Sequence, residues 1–128
     1  MNAPRPIALL VTHGTLGDEL VRTVAAILGP QDGVETLSNS GLSADALAEA
    51  IERRLDGMPA QAPVVLFTDL AAGSCGIASR RVGREGLRKI TGVNLPMLLE
   101  FFHYRDTLSL DELLSRMEAK GKAGIVLL

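Results

Sequence analysis

The sequence is poor in aromatic residues, in cysteine and in net charge. Of its 128 residues only 3% are aromatic and none is tryptophan, so the core must be aliphatic and base stacking on single-stranded nucleic acid is disfavoured. Basic and acidic residues, 13 against 15, leave a net charge of −2, without the basic surface that DNA or RNA binding needs. The one cysteine, Cys75, excludes an internal disulfide and a zinc site built from several thiolates.

Long hydrophobic runs are also missing. None approaches the roughly 20 residues that span a bilayer, and residues 1–6 lack the apolar core of an export signal. We therefore expect a soluble, cytoplasmic protein. Hydrophobic residues nevertheless make up 47% of the chain, which is enough to build a folded core.

Apolar runs alternate with amphipathic segments along the whole chain. The pattern predicts strands at residues 7–11, 33–37, 63–68, 89–93 and 123–128, the last being "AGIVLL". It predicts helices at residues 18–28, 43–57 and 77–87, after Pro96, and after a capping box formed by Ser109 and Glu112. Such alternation is typical of an α/β fold with a parallel, doubly wound sheet. We expect one domain, residues 1–128, with four parallel strands and a C-terminal edge strand.

His13 and Asp69 each follow an apolar strand, in "LLVTHG" and "VLFTD". Function gathers at the carboxyl ends of strands in such sheets, so the two side chains would meet if their strands are neighbours. His13 could be a general base, a metal ligand or a phosphate acceptor, or could only form a hydrogen bond at a strand end. Asp69 could accept the Nδ1 proton and leave Nε2 as a nucleophile, or could cap a loop.

The segment "AAGSCG" follows Asp69 directly. Gly73 and Ser74 offer backbone N–H groups and a hydroxyl before a helix, which suits either an anion site or an ordinary helix cap. The segment lacks the Gly-Lys-Ser/Thr step of a P-loop, and Ala72 stands where a nucleophile elbow has glycine. We interpret Cys75 as a small packing residue.

Two other kinds of site are disfavoured. A metal site made of His13, Asp69, Cys75 and His103 has no ligand pair with helical or turn spacing. A receiver domain phosphorylated on Asp69 needs further carboxylates after its first strand, where Thr12 and His13 stand here. A nucleophile, an orienting carboxylate and an anion cradle together favour phosphoryl transfer, and we expect no cofactor.

Three segments in this order, "IALLVTHGTLGDELVRTVAAILG", "LFTDLAAGS" and "GVNLPMLLE", resemble the mannose-family IIA domain of the bacterial sugar phosphotransferase system. The resemblance runs from Ile7 to the terminal "GKAGIVLL". It implies a phosphocarrier whose histidine, matched by His13, accepts a phosphoryl group from HPr and passes it to a IIB protein. The orienting aspartate of the family falls on Asp69, and its phosphate-binding serine falls on Ser74.

The resemblance also implies a homodimer in which "AGIVLL" joins the sheet of the partner, and contact with a membrane only through a permease. The loop after Asp69 departs from the family, because "AAGSC" replaces a Trp-Gly-Gly-Ser-Pro-like sequence. Sugar transport and regulation therefore both stay open. The alternatives are a binding regulator whose phosphorylation state controls a kinase or transcription factor, and the phosphotransferase subunit of dihydroxyacetone kinase.

Overall fold

The computed structural model describes residues 4–128, in which helices and strands alternate as far as α4. The strands are β1 (Ile7–Thr12), β2 (Val34–Ser38), β3 (Val64–Thr68) and β4 (Leu87–Ile90). The helices are α1 (Leu16–Leu28), α2 (Ala44–Asp56), α3 (Gly73–Arg81), α4 (Leu95–Tyr104) and α5 (Leu110–Ala123). None of the helices in this part of the chain is long and apolar enough to cross a membrane. The expectation for residues 1–6 rests partly on residues 1–3, which lie outside the described residues.

The four strands form one parallel sheet in the order β2-β1-β3-β4, which confirms the predicted α/β class. The central strands β1 and β3 are almost completely buried, because helices cover both faces of the sheet. In β1, Val11 pairs with Leu37 of β2 and with Thr68 of β3. The chain runs outward from β1 to β2 and then returns to β3, so the sheet changes direction between its two central strands. Ligands of open α/β sheets bind at such a point.

The core has two halves, one on each face of the sheet. Leu9, Val11 and Leu66 face α2 and α3, whereas Leu10 and Phe67 face α1, α4 and α5. This division follows from the period of two in a strand, where successive side chains point to opposite faces. The uninterrupted apolar runs in the sequence are therefore strands that are covered on both sides.

Side-chain caps fix the start of three helices. Ser43, Asn94 and Ser109 each accept a hydrogen bond from the backbone N–H three residues later, at the first turns of α2, α4 and α5. Ser109 also donates to the carboxylate of Glu112 at 2.8 Å. The helix starts predicted at Ser43 and Ser109 are confirmed.

The helix predicted over residues 77–87 was wrong at both ends, because α3 spans Gly73–Arg81. It begins inside the small-residue loop, where a Cβ at Gly76 would overlap the Ala71 carbonyl oxygen, so that only glycine fits this position. The chain then leaves the helix and turns at Gly86, whose φ is +80°.

The strand predicted over residues 89–93 begins two residues earlier and ends three residues earlier, at Leu87–Ile90. After β4 the chain bends at Gly92, whose φ of +72° favours glycine. The Val93 N–H then donates to the Thr68 carbonyl at 3.0 Å. Val93 packs against the core after the bend and does not belong to the strand.

The predicted fifth strand is absent from the part of the chain that the structure describes. Helix α5 continues to Ala123, and residues 125–128 belong to no strand and are at least 66% exposed. Leu113, Met117 and Gly121 lie one helical turn apart on the buried side of α5. The helix therefore runs through Gly121.

Arg105 attaches the end of α4 to the amino ends of β1 and β2. The residue is only 2% exposed. Its guanidinium donates to the carbonyls of Asp32, Gly33 and Pro6 at 2.8, 3.4 and 3.5 Å. It also lies over the ring of Phe102, 4.9 Å from the centroid. The Gly33 carbonyl also accepts from the Ala8 N–H at 2.9 Å, so Arg105 joins a backbone contact that already ties β1 to the residue before β2.

We expect Arg105→Ala to lower the free energy of unfolding by about 2–4 kcal/mol, since it removes a buried guanidinium together with its hydrogen bonds to three backbone carbonyls and its contact with Phe102. Urea titration followed by circular dichroism measures the change. The exposed Arg80 provides a matched control, and Arg80→Ala should change the stability by less than about 0.5 kcal/mol. Equal stability of the two variants would contradict the role of Arg105.

Candidate functional site

His13 and Asp69 meet at the carboxyl ends of the two central strands. His13 is the first residue after β1, and Asp69 is the first residue after β3. One oxygen of Asp69, Oδ2, accepts a hydrogen bond from the His13 backbone N–H at 3.0 Å and lies 2.9 Å from the ring Nδ1. A single carboxylate oxygen thus holds both the main chain and the ring of His13.

This contact decides which ring nitrogen of His13 carries the proton. An ionised carboxylate only accepts hydrogen bonds, so Nδ1 of the neutral ring must donate and Nε2 keeps its lone pair. Burial acts to raise the pKa of Asp69, but the hydrogen bonds from the backbone and ring of His13 hold the pKa below its usual 3.8. The His13 side chain is 43% exposed and that of Asp69 is 11% exposed. The ring is therefore anchored on its inner side and open to solvent.

The start of α3 lies next to the free nitrogen of His13. A Cβ built on Gly73 would be in ordinary contact with the ring, 3.8 Å from both Cε1 and Nε2, and the φ of Gly73, +76°, is the feature that favours glycine here. The N-cap residue Ala72 has no side chain that could bond to the helix N–H groups. An anion at Nε2 would therefore find uncapped N–H groups and the positive end of the helix dipole.

Asn39, which no sequence motif indicated, connects the two loops of the site. It directly follows β2, and its backbone N–H donates to the Thr12 carbonyl at 3.1 Å. Its side-chain Oδ1 accepts from the Gly14 N–H at 3.2 Å, and its Nδ2 donates to Ser74 Oγ at 3.3 Å. The strand-end rule that indicated His13 also applies to Asn39, but the residue stands in a polar stretch between the predicted strand and helix that carries no motif.

Thr12 fixes the turn that presents His13. Its hydroxyl oxygen, which is buried, accepts a hydrogen bond from the Gly17 N–H at 2.8 Å. Because Thr15 forms no side-chain cap, Thr12 satisfies this N–H at the start of α1 instead. Gly14, with a φ of +57°, lets the chain reverse between the strand and the helix.

A family model described as "PTS system fructose IIA component" matches residues 8–118. The chain belongs to this family. The family that the sequence motifs indicated is thereby confirmed. The protein is a IIA component of the mannose/fructose type, from the phosphotransferase system.

Curated relatives of this IIA domain are longer than the chain itself. It is 32% identical over 124 residues to the mannose-specific EIIAB component of the phosphotransferase system from Escherichia coli K12. The same figure holds for the EIIAB component from Shigella flexneri. The match covers 93% of this chain and 38% of each relative, so the chain spans well under half of their length.

Solved structures share the fold of this IIA domain. The phosphotransferase system component EIIA from Streptococcus agalactiae superposes with a TM-score of 0.83 at 23% identity, over 95% of this chain and 96% of that one. The mannose/sorbose-specific IIA subunit from Enterococcus faecalis gives 0.80 at 20% identity, over 97% and 95%. At these identities the likeness shows a common fold.

Cys75 lies beneath the histidine ring of the IIA domain. It is fully buried, and its Sγ is 3.7 Å from His13 Nδ1. Burial, and after it the charge of Asp69, raises the pKa of the Cys75 thiol to about 11. The thiol is therefore protonated and inert near neutral pH, in keeping with a packing role.

The structure also brings His13, Asp69 and Cys75 close enough to be considered as metal ligands, with their ligand atoms within 4.8 Å of one another. A cation there would have to displace both the Nδ1 proton and the proton of a thiol with a strongly raised pKa. The donor set thus fits a hydrogen-bonded histidine better than a metal centre.

His103 is not part of this site. It is an exposed residue in the last turn of α4, where its ring stacks edge-on against Tyr104. Arg105, two residues later, contacts the carbonyls of Pro6 and Gly33 at the amino ends of β1 and β2. His103 is thereby at the opposite end of the sheet from His13.

Proposed function

We propose that this IIA domain is a phosphocarrier, which accepts a phosphoryl group on Nε2 of His13 from phosphorylated HPr. It then passes the group to a IIB protein or domain, or holds it as a regulatory signal. The observation that carries the proposal is the 2.9 Å contact between His13 Nδ1 and Asp69 Oδ2, which leaves Nε2 unprotonated on a ring that solvent can reach. Membership of the family supports it.

The transfer needs no proton to move at His13. The Nε2 lone pair forms a bond to phosphorus while the bond between phosphorus and the donor nitrogen breaks, and its electron pair returns to the donor. The phosphorylated ring of His13 keeps its Nδ1 proton and becomes cationic, so the Asp69 carboxylate stabilises the product more than the neutral ring. Asp69 thus orients the nucleophile and also lowers the energy of the charge that develops on it.

Stabilisation of the phosphoryl oxygens falls to the first turn of α3. Gly73 and Ser74 present N–H groups beside His13, and the dipole of the nine-residue helix adds positive potential. Phosphoryl transfer depends mainly on positioning and on charge stabilisation, both of which this arrangement supplies. The Ser74 hydroxyl adds a further donor.

Four exposed apolar residues that are close to site residues in the chain support a protein partner. Each lies within three residues along the chain of a site residue: His13, Asn39, Asp69 or Ser74. Exposed apolar side chains grouped around a reactive residue favour docking of another protein surface. The four residues are Leu16 (43% exposed), Leu42 (37%), Leu70 (55%) and Ile77 (43%).

The sequence of the loop after Asp69 favours a regulatory protein over a IIB protein as the partner of this domain. Ala71 and Ala72 are small and exposed where sugar-transporting members of the family carry an aromatic side chain and glycine. The phosphate cradle is unaffected by this difference, whereas the surface that a partner contacts is changed. Transfer of label to a IIB protein would support transport, and retention of label with altered binding to a kinase or transcription factor would support regulation.

We expect His13→Ala to abolish labelling by phosphorylated HPr, because it removes the nucleophilic nitrogen. His103→Ala should be labelled at nearly the rate of the parent protein. Radioactive phosphoenolpyruvate with enzyme I and HPr supplies the label, and peptide mapping locates it. Label on His103, or on the His13→Ala variant, would refute the assigned site.

Asp69→Asn should fold but accept the phosphoryl group at least tenfold more slowly, a barrier increase of about 1.4 kcal/mol or more. The amide can present its NH₂ to Nδ1, which favours a proton on Nε2 and removes the nucleophile; a comparable tautomer error costs up to ~10⁴ in a serine-protease triad. Rapid-quench measurement of label uptake checks this. Asp56→Asn, at an exposed carboxylate that ends α2, is the control and should transfer normally. A loss smaller than tenfold would leave Asp69 a structural role only.

We also propose a homodimer in which residues 125–128 pair with the edge strand β4 of a second copy. Four consecutive apolar side chains, each at least 66% exposed, support this, as does the unpaired outer edge of β4 in the described sheet. Burial of Ile125, Val126 and Leu127 would contribute on the order of 5 kcal/mol before ordering costs. Such a contact would be two-fold symmetric.

A protein that ends at Gly124 should therefore sediment as a monomer at concentrations where the parent is a dimer. Its melting temperature should fall, while the His13 site should still accept label, because α5 is complete without these residues. Sedimentation velocity of both proteins decides the question. A truncated protein that remains dimeric would place the interface elsewhere.

A further inference from the structure

We infer that Asn39 is a positioning residue, which fixes the direction of the hydrogen bond at Ser74 and so keeps the serine proton available for an incoming phosphoryl group. The inference rests on the proposed function of His13. It concerns a residue outside the His13–Asp69 pair, at the end of a different strand.

The orientation of the Asn39 amide follows from its neighbours. The backbone N–H of Gly14 can only donate, so the side-chain atom 3.2 Å away must be the oxygen Oδ1. The nitrogen Nδ2 is then the atom 3.3 Å from Ser74 Oγ. An amide nitrogen can only donate, so the serine oxygen accepts.

A serine hydroxyl that accepts one hydrogen bond still has its own proton to donate. Because Asn39 occupies a lone pair of Ser74 Oγ, the O–H is directed away from the amide. Ser74 is the second residue of α3 and directly follows Gly73, where a Cβ would be 3.8 Å from Nε2 of His13. The phosphoryl oxygens are negatively charged, so a fixed donor at this place stabilises them better than a freely rotating hydroxyl.

The backbone of Asn39 is held on both sides. Its N–H donates to the Thr12 carbonyl at 3.1 Å, and its carbonyl accepts from the Leu42 N–H at 3.0 Å. The residue is half-buried. The amide therefore needs little ordering when the phosphoryl group arrives, and it ties the loop after β1 to the start of α3.

An aspartate at this position would have the same shape and the opposite effect. Its two oxygens can only accept, so Oδ1 could keep the Gly14 contact while the other oxygen would draw the Ser74 proton toward itself. The serine would then turn a lone pair toward the phosphoryl group, and the added negative charge would repel it. Asn39→Asp thus reverses the direction of the hydrogen bond while the volume of the side chain is kept.

The test compares Asn39→Asp, Asn39→Ala and Ser74→Ala, with Ser40→Ala as control, since Ser40 is the exposed neighbour of Asn39 and bonds only to Ser38 among the described side chains. Phosphorylation of His13 is followed with two donors, phosphorylated HPr and phosphoramidate, a small donor that needs no protein partner. Circular dichroism and melting temperature verify that each variant folds.

We expect a graded loss with both donors: about threefold or more for Asn39→Ala, and about tenfold or more for Asn39→Asp, or roughly 1.4 kcal/mol. Ser40→Ala should match the parent. Asn39→Ala combined with Ser74→Ala should be no slower than Ser74→Ala alone, because a residue that acts through Ser74 has no effect once the hydroxyl is gone.

Several results would overturn the inference. If the rate losses of Asn39→Ala and Ser74→Ala multiply in the double variant, Asn39 acts independently of Ser74. Equal rates for Asn39→Asp and Asn39→Ala would refute the directional role. If Asn39→Ala unfolds, Asn39→Asp should slow labelling by a larger factor in the parent than in the Ser74→Ala background, where only the repulsion by the added charge remains; equal factors in the two backgrounds would overturn the inference. Labelling of the parent by phosphoramidate but not by HPr would refute the proposed donor alone, and failure with both donors would refute the site and the inference together.

Discussion

The carboxylate of Asp69 is the contact on which the candidate site depends. Its Oδ2 receives the backbone N–H and the ring N–H of His13, and both contacts exist because β1 and β3 are adjacent central strands. The order of the strands places the two residues together although 56 positions separate them in the chain. The choice of tautomer, the free Nε2 and the position of the ring beside α3 all follow from this contact.

The environment of the carboxylate is asymmetric, and this asymmetry suits a carrier. On the inner side the neighbours are a fully buried, protonated Cys75 thiol and the hydrogen-bonded edge of the ring. On the outer side the ring is open and lies beside the uncapped start of α3. A group bound at Nε2 is thus held by directed donors, yet remains within reach of a docking protein, as a group that must move on requires.

The sequence predicted the parts of this arrangement that follow from strand ends. His13, Asp69 and Ser74 each follow a strong apolar run or stand just before a helix, so pattern alone places them at one edge of the sheet. Asn39 was not predicted because β2 is a short, half-buried strand. The position of β2 next to β1 follows only from the strand order. The apolar run at residues 125–128 also led to the prediction of a strand that the single chain does not form, because a strand needs a partner to pair with.

The central claim is that Asp69 fixes the proton on Nδ1 of His13 and leaves Nε2 as the nucleophile. Long-range ¹H–¹⁵N correlation of the His13 ring in the unphosphorylated protein, at a pH where the ring is uncharged, measures this directly. We expect the ¹⁵N shift of Nδ1 to be that of a protonated nitrogen and the shift of Nε2 to be that of an unprotonated one. A proton on Nε2, or rapid exchange between both forms, would contradict the role given to Asp69.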